Sequence, residues 1–211
     1  MIAARYSTPR VKICAPIDQR LRSNDPQTWS KDGQAIRATV LILWAGMVEN
    51  LQSSAALPMS KPSLSIFYAT ETGNAESLAH QAHERAIAEG WSSATVQNIS
   101  ALKPVDLAAH TLVLFVVSTW GDGEPPSDAT DFHYDLEKAQ LDLSGLRYAV
   151  LGLGDRDYAD FNGFARKLDE RLSMLGASAV LARTEADLDF EDTYSKWADR
   201  IFPLIGKSIA A

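Results

Sequence analysis

The chain has 211 residues, 46% hydrophobic and 22% charged, the composition of a water-soluble globular protein with enough apolar material for one sizeable core. A net charge of −7 argues against nucleic acid as a partner, because phosphate backbones select basic surfaces. Four His and one Cys leave little for metal sites; the single Cys14 forms no internal disulfide, and a reducing, cytoplasmic setting is expected.

Charge divides the chain near Met59. Residues 1–58 hold seven Lys/Arg against four Asp/Glu, a net of +3, whereas residues 59–211 carry a net of −10. The first segment shows no sustained apolar period, and its apolar run ATVLILWAGMV (38–48) is shorter than the ~20 residues a membrane helix needs. It is also too far from the amino terminus to serve as a signal peptide. Two readings of 1–58 stand: a poorly structured extension, or sequence upstream of a true start at Met59, with the second preferred. The working domain is therefore expected to be 59–211.

From Met59 the pattern is regular. Leu64 to Ala69 reads as a buried strand. Asn74 to Glu89 follows as a helix, with Leu78, Ala82, Ala86 and Ile87 near one face and Gly90 ending it. Ala94 to Ile99 is a second, more polar strand, and Pro104 to Ala109 allows one helical turn. Thr111 to Val117 (TLVLFVV) is continuously apolar, as a central parallel strand covered on both faces would be. Pro125 and Pro126 open a helix to about Gln140. Arg147 to Leu153 is the fourth strand and Phe161 to Leu175 a helix with a stripe of Phe164, Ala165, Leu168, Leu172 and Leu175. Ser178 to Leu181 gives a fifth strand, and Thr193 to Ile205 a closing helix anchored by Trp197, Ile201 and Phe202. Five strands alternating with helices predict an α/β doubly wound parallel sheet in the order 2-1-3-4-5.

That order brings three loops together beyond the ends of strands 1, 3 and 4: ATETGNAE, STWGDGEPP and GLGDRDYADFN. The first offers hydroxyls, an amide and a glycine turn at a helix amino terminus, an anion nest; the competing reading is that Thr and Asn merely cap the helix. It lacks the Gly-Lys-Ser/Thr of a triphosphate loop and the G-x-G-x-x-G of a dinucleotide loop. Trp120, followed by Gly121 and Gly123 in the second loop, and Tyr158 in the third are candidate stacking platforms; the competing reading is a Trp packed under its loop. One monophosphate nest and two aromatics describe a site for a flat aromatic phosphate ester, and flavin mononucleotide (FMN) fits best.

IFYATETGNAESLA, VVSTWGDGEPPSDA and LGLGDRDYADFNGFARKLDERL, continued by LGA (175–177), EADLDFED and Trp197, resemble the flavodoxin-type domain of sulfite reductase flavoproteins and related diflavin reductases. The likeness covers Met59 to Ile205 and is of the short-chain type, since no inserted segment interrupts the passage from the fourth strand to its helix. It implies that Thr70, Glu71, Thr72, Gly73, Asn74 and Ala75 hold the FMN phosphate, and that Ser118, Thr119, Trp120 and Gly121 contact the ring and ribityl chain. Leu153, Gly154, Asp155, Tyr158, Phe161 and Asn162 would close over the isoalloxazine, with Trp120 on one face and Tyr158 on the other. Gly121 is the candidate for the peptide flip of the family, which glycine makes cheap.

No Lys or Arg lies between residues 62 and 84, so neutral donors would meet the phosphate. Asp122, Glu124, Asp128, Asp155, Asp157, Asp160, Asp187 and Asp189 would place a negative field around the ring, disfavouring the reduced anion and steering a basic-faced reductase and redox acceptor to an acidic rim. His80 and His83, one helical turn apart, lack a third metal ligand in view, so no metal site and no catalytic residue is expected. With six residues after Ile205, no FAD- or NADPH-binding module is expected in this chain. A monomeric FMN electron carrier is the leading reading. The alternatives are the flavin subunit of a split sulfite-reductase-like diflavin reductase, a non-redox flavodoxin-like binding module, and an FMN-dependent quinone or nitro reductase.

Overall fold

The computed structural model describes residues 63–207. The expectations for residues 1–58 and for a start at Met59 lie outside the described residues.

The elements follow the apolar runs. β1 (Ser65–Ala69) leads into α1 (Asn74–Ala88), β2 (Thr95–Asn98), β3 (Leu112–Ser118), α2 (Thr130–Lys138), β4 (Arg147–Leu153), α3 (Gly163–Met174), β5 (Ser178–Ala179), β6 (Thr184–Ala186) and α4 (Phe190–Lys207). One-turn 3-10 helices occupy Ile99–Ala101 and Ser127–Ala129, and a longer one Pro104–Ala109. All strand pairs are parallel, in the order β2-β1-β3-β4-β5.

Alternation within the central strands assigns the two faces. Ile66, Leu112, Leu114, Val116, Ala149 and Leu151 pack with the apolar stripes of α1 and α4, including Leu78, Ala82, Trp197 and Ile201. Phe67, Val113, Phe115, Val117, Tyr148 and Val150 pack with α2 and α3 through Phe132, Leu136, Phe164 and Leu168. β3 is buried on both faces from Leu112 to Val117, which is why its sequence is unbroken by polar residues.

Several boundaries differ from the sequence reading. Ile87 is exposed, because the apolar face of α1 rotates past it after Ala86. Pro125 and Pro126 precede the helix instead of opening it: a 3-10 turn intervenes and α2 begins at Thr130. α3 begins at Gly163, after Asn162 in a left-handed conformation (φ 54°). The expected fifth strand is split. Ser178 and Ala179 pair with Arg147 and Tyr148, then Thr184–Ala186 pair with Leu151–Leu153, a register two residues longer. Arg183, at the rejoining point, spans Asp169 of α3 (2.7 Å) and Glu185 of β6 (2.9 Å), and Tyr148 donates to the same Asp169 (2.8 Å).

Among the described residues no helix is long and apolar enough to cross a membrane, and no group of three or more His, Cys, Asp or Glu is placed to hold a metal. His83 Nε2 lies 3.0 Å from the Ala94 carbonyl, and the His80 ring packs beside Tyr68.

Candidate functional site

β1, β3 and β4 are neighbours, so the loops that leave their carboxyl ends converge. Between them lies a cavity of about 360 Å³, within the range of small-molecule sites.

The first loop is a self-supporting turn. Thr70 Oγ1 accepts the Gly73 N–H at 2.9 Å, and Gly73 adopts φ 89°, a conformation that favours glycine. The chain therefore enters α1 with no side-chain cap, leaving first-turn N–H groups and the positive end of the helix dipole for a ligand. The competing reading from sequence, that Thr and Asn cap this helix, is not what the structure contains. Carboxylates brace the turn from behind. Asp128 accepts the Thr70 N–H (3.2 Å to each oxygen) and Asn98 Nδ2 (2.6 Å), while Glu71 accepts the Ser127 N–H (2.8 Å). Glu71, Thr72 and Asn74 line the cavity; Thr70, Gly73 and Ala75 do not. Thr70 and Gly73 build the turn, and Ala75 is buried in the core.

The second loop leaves β3 as a tight hairpin. Trp120 and Glu124 exchange backbone hydrogen bonds (2.9 and 2.8 Å) around Gly121 and Gly123, both at positive φ. Ser118, Thr119, Trp120 and Gly121 all line the cavity, with about half of Trp120 uncovered by protein (53% exposed). Thr119 N–H donates to the Leu153 carbonyl (2.8 Å), tying this loop to the third.

The third loop turns on Asp155, whose side chain accepts the Asp157 N–H (2.9 Å). Leu153, Gly154, Asp155, Tyr158, Phe161 and Asn162 line the cavity, and Tyr158 is 50% exposed. Asn162 is fully buried: Nδ2 donates to the Ala186 carbonyl (3.1 Å), while Oδ1 has no partner. Gly152 and Gly154 make room for it, since a Cβ at either would meet Asn162. Arg156 stacks over the Phe161 ring (4.5 Å) and pairs with Asp187 (3.2 Å).

The site's charge is more mixed than the acidic list suggests. Of those carboxylates, Asp160 pairs with Arg166, Asp187 with Arg156, and Asp128 is turned inward to Thr70 and Asn98. The Asp160 carboxylate raises the Arg166 pKa. On α2, burial lowers the His133 pKa from 6.5, helped by Lys167 and against the upward pull of Glu137 and Glu124. Asp160, expected around the ring, lines the cavity, as do two residues that the sequence reading did not assign to it, Leu188 and Phe190. Asp160 looked like rim charge. Leu188 had a visible signal, an apolar residue directly between two aspartates, and it is 68% exposed.

The arrangement suits a flat, monophosphorylated aromatic ligand. An uncapped helix terminus supplies anion donors, two aromatic rings lack half of their cover, and Leu153 gives an apolar wall.

Comparison with known proteins agrees. The flavodoxin family model matches residues 66–197. The sulfite reductase [NADPH] flavoprotein alpha-component of Bacillus subtilis (strain 168) is 34% identical over 152 residues, 72% of this chain and 25% of the relative. That of Neisseria meningitidis serogroup C (strain 053442) is 37% identical over 157 residues, 74% of this chain and 26% of the relative. NADPH–cytochrome P450 reductase of Cavia porcellus is 33% identical over 149 residues, covering 66% of this chain and 22% of the relative. The chain thus spans about a quarter of the length of these curated relatives. Among solved structures, a flavodoxin of Streptococcus pneumonia TIGR4 superposes with a TM-score of 0.58 at 27% identity, covering 67% of this chain and 98% of the other. Oxidised flavodoxin 1 from Bacillus cereus gives 0.57 at 26%, covering 69% and 97%.

Proposed function

Because this chain belongs to the flavodoxin family, we propose that it is an FMN-binding carrier that passes single electrons between a reductase and an acceptor protein. The observation that carries the reading is one cavity, at the ends of β1, β3 and β4, joining an uncapped helix terminus to two half-exposed aromatic rings. FMN supplies the redox chemistry when bound, since flavin exchanges electrons singly or in pairs.

The chain's own residues bind and orient. Thr72, Asn74 and the first-turn N–H groups of α1 would receive the phosphate, on a turn that Thr70, Gly73 and Asp128 keep in shape. Ser118, Thr119 and Gly121 would line the ribityl and ring edge, with Trp120 and Tyr158 on the two ring faces. Leu153, Gly154, Asp155, Phe161 and Asn162 would wall the site from the third loop, and Glu71 and Ala75 belong to the phosphate turn, Ala75 buried in the core. Neutral donors at the phosphate and carboxylates such as Asp122, Glu124 and Asp157 leave the region net negative. That field disfavours added negative charge on the ligand and attracts basic-faced partners. A monomeric, cytoplasmic protein belongs with this proposal.

The test uses the full chain. A yellow protein, or a colourless one that quenches added FMN fluorescence at one equivalent, is expected, with anaerobic reduction in two resolved one-electron stages. A protein that ignores FMN would overturn the reading and favour a non-redox binding module. A second reading, a flavin component of a sulfite-reductase-like assembly, is supported by the 37% identity to a sulfite reductase flavoprotein. It predicts preferential reduction by the FAD- and NADPH-binding portion of a diflavin reductase over an independent flavodoxin reductase.

A further inference from the structure

The 120–124 hairpin has little of its own to hold it. Two backbone hydrogen bonds close it, and two of its five residues are glycines at positive φ. Half-exposed Trp120 offers only part of its surface as packing against the protein.

A cluster from α3 and the loop before it supplies what the hairpin lacks. Lys167 Nζ donates to the Gly123 carbonyl at 2.9 Å. The Asp160 carboxylate packs against Gly123 and Gly163, where a Cβ at either position would collide with it, so the hairpin and the start of α3 meet backbone to backbone. Arg166 pairs with that carboxylate, Lys167 lies 3.9 Å from it, and the Asp160 carbonyl accepts the Gly163 N–H (3.0 Å). Asp160 also lines the cavity, so the same residue borders both the space and the hairpin beside it.

We propose that Asp160, Arg166 and Lys167 are positioning residues that latch the 120–124 hairpin onto α3 and so hold Trp120 at the cavity before a flavin arrives. The latch acts on the ring side of the site and leaves the phosphate turn alone, since that turn is braced separately by Asp128 and Glu71. It rests on the flavin reading for its ligand, but its mechanical half is independent of any ligand.

The experiment measures amide hydrogen exchange at Trp120 and Glu124 in the full chain, with and without FMN, and dissociation constants for FMN and riboflavin. Lys167→Met removes one charge-assisted hydrogen bond at a partly exposed site, so exchange at both amides should quicken by about tenfold while α1 amides stay unchanged. FMN and riboflavin should weaken by the same factor, about threefold to tenfold, because the phosphate plays no part. Lys167→Arg should restore both readouts to within about twofold, since it keeps the charge and donor. Asp160→Asn should reproduce the loosening from the other side of the latch. Unchanged exchange in a folded Lys167→Met protein, loosening spread over the whole domain, or failure of Lys167→Arg to rescue would each overturn the proposal. If the unaltered protein binds neither flavin, the flavin reading fails, and the exchange comparison still decides the latch.

Discussion

Replacing Gly152 by alanine adds one methyl group at a tightly packed point beside the site. Gly152 lies within β4, paired with Val117 of β3 on one side and Glu185 of β6 on the other, so its backbone has nowhere to retreat. The new Cβ would meet Asn162 Oδ1 and Ala165 Cβ closer than such atoms approach in folded proteins. Overpacking of this kind costs about 1–3 kcal/mol, and displacing Asn162 from the Ala186 carbonyl adds about 1 kcal/mol. A total of about 2–4 kcal/mol corresponds to a fall in Tm of roughly 6–12 °C for a domain of this size. Thermal unfolding of the full chain, followed by far-UV circular dichroism on the flavin-free protein, reads this directly. In an Asn162→Gly background the same substitution should cost at least about 1 kcal/mol less, because the two residues share the contact. A fall of under about 2 °C, or strict additivity with Asn162→Gly, would refute the argument that Asn162 fills a space shaped by the missing side chain.

Thr70→Val removes the acceptor for the Gly73 N–H and should weaken FMN about threefold to tenfold while leaving riboflavin within about twofold, read by flavin fluorescence titration. His133, with its pKa lowered by burial, contributes stability that is present above pH 6.5 and lost as pH falls below it; His133→Gln should flatten that decline in Tm-against-pH curves. Arg183→Met strips Asp169 and Glu185 of their shared partner and should cost about 1–3 kcal/mol, with faster amide exchange at β6 than at β1 or β3. Tyr194, buried on α4 with its pKa raised to about 12, should hold stability below pH 10 and lose it toward pH 12, a slope that Tyr194→Phe removes in alkaline unfolding curves.

The strands and the sheet order were legible because burial leaves a direct trace in sequence. β3, covered on both faces, is an apolar run, and β4 reads correctly at both ends. Strand and helix boundaries failed where the deciding force is not apolar periodicity. The split of the fifth strand depends on Arg183 reaching Asp169 fourteen residues earlier, a pairing that no local pattern reveals. The delayed start of α3 depends on Asn162 taking a left-handed turn under Gly152 and Gly154, a fit set by three separated residues. The loops that hold the cavity could be named from strand order alone. The division of labour within them could not: Thr70 and Gly73 look like ligand contacts, yet they bond each other. Arg166 and Lys167 look like surface charge on a helix, yet both reach back to Asp160 or Gly123. Leu188, just before α4, and Phe190, its first residue, line the cavity from a stretch that the sequence reading treated only as acidic.

The depth to which β1, β3 and β4 are buried has a consequence for how the domain opens. Their interior residues are almost wholly excluded from solvent, and both core clusters are anchored on them, so this slab is expected to be the last part of the domain to open. The three loops are extensions of that slab, tied to it and to one another by hydrogen bonds such as Thr119 to Leu153 and Gly154 to Ala186. Opening of the loops is therefore separable from opening of the slab: the loops can loosen and reclose while the strands between them stay shut.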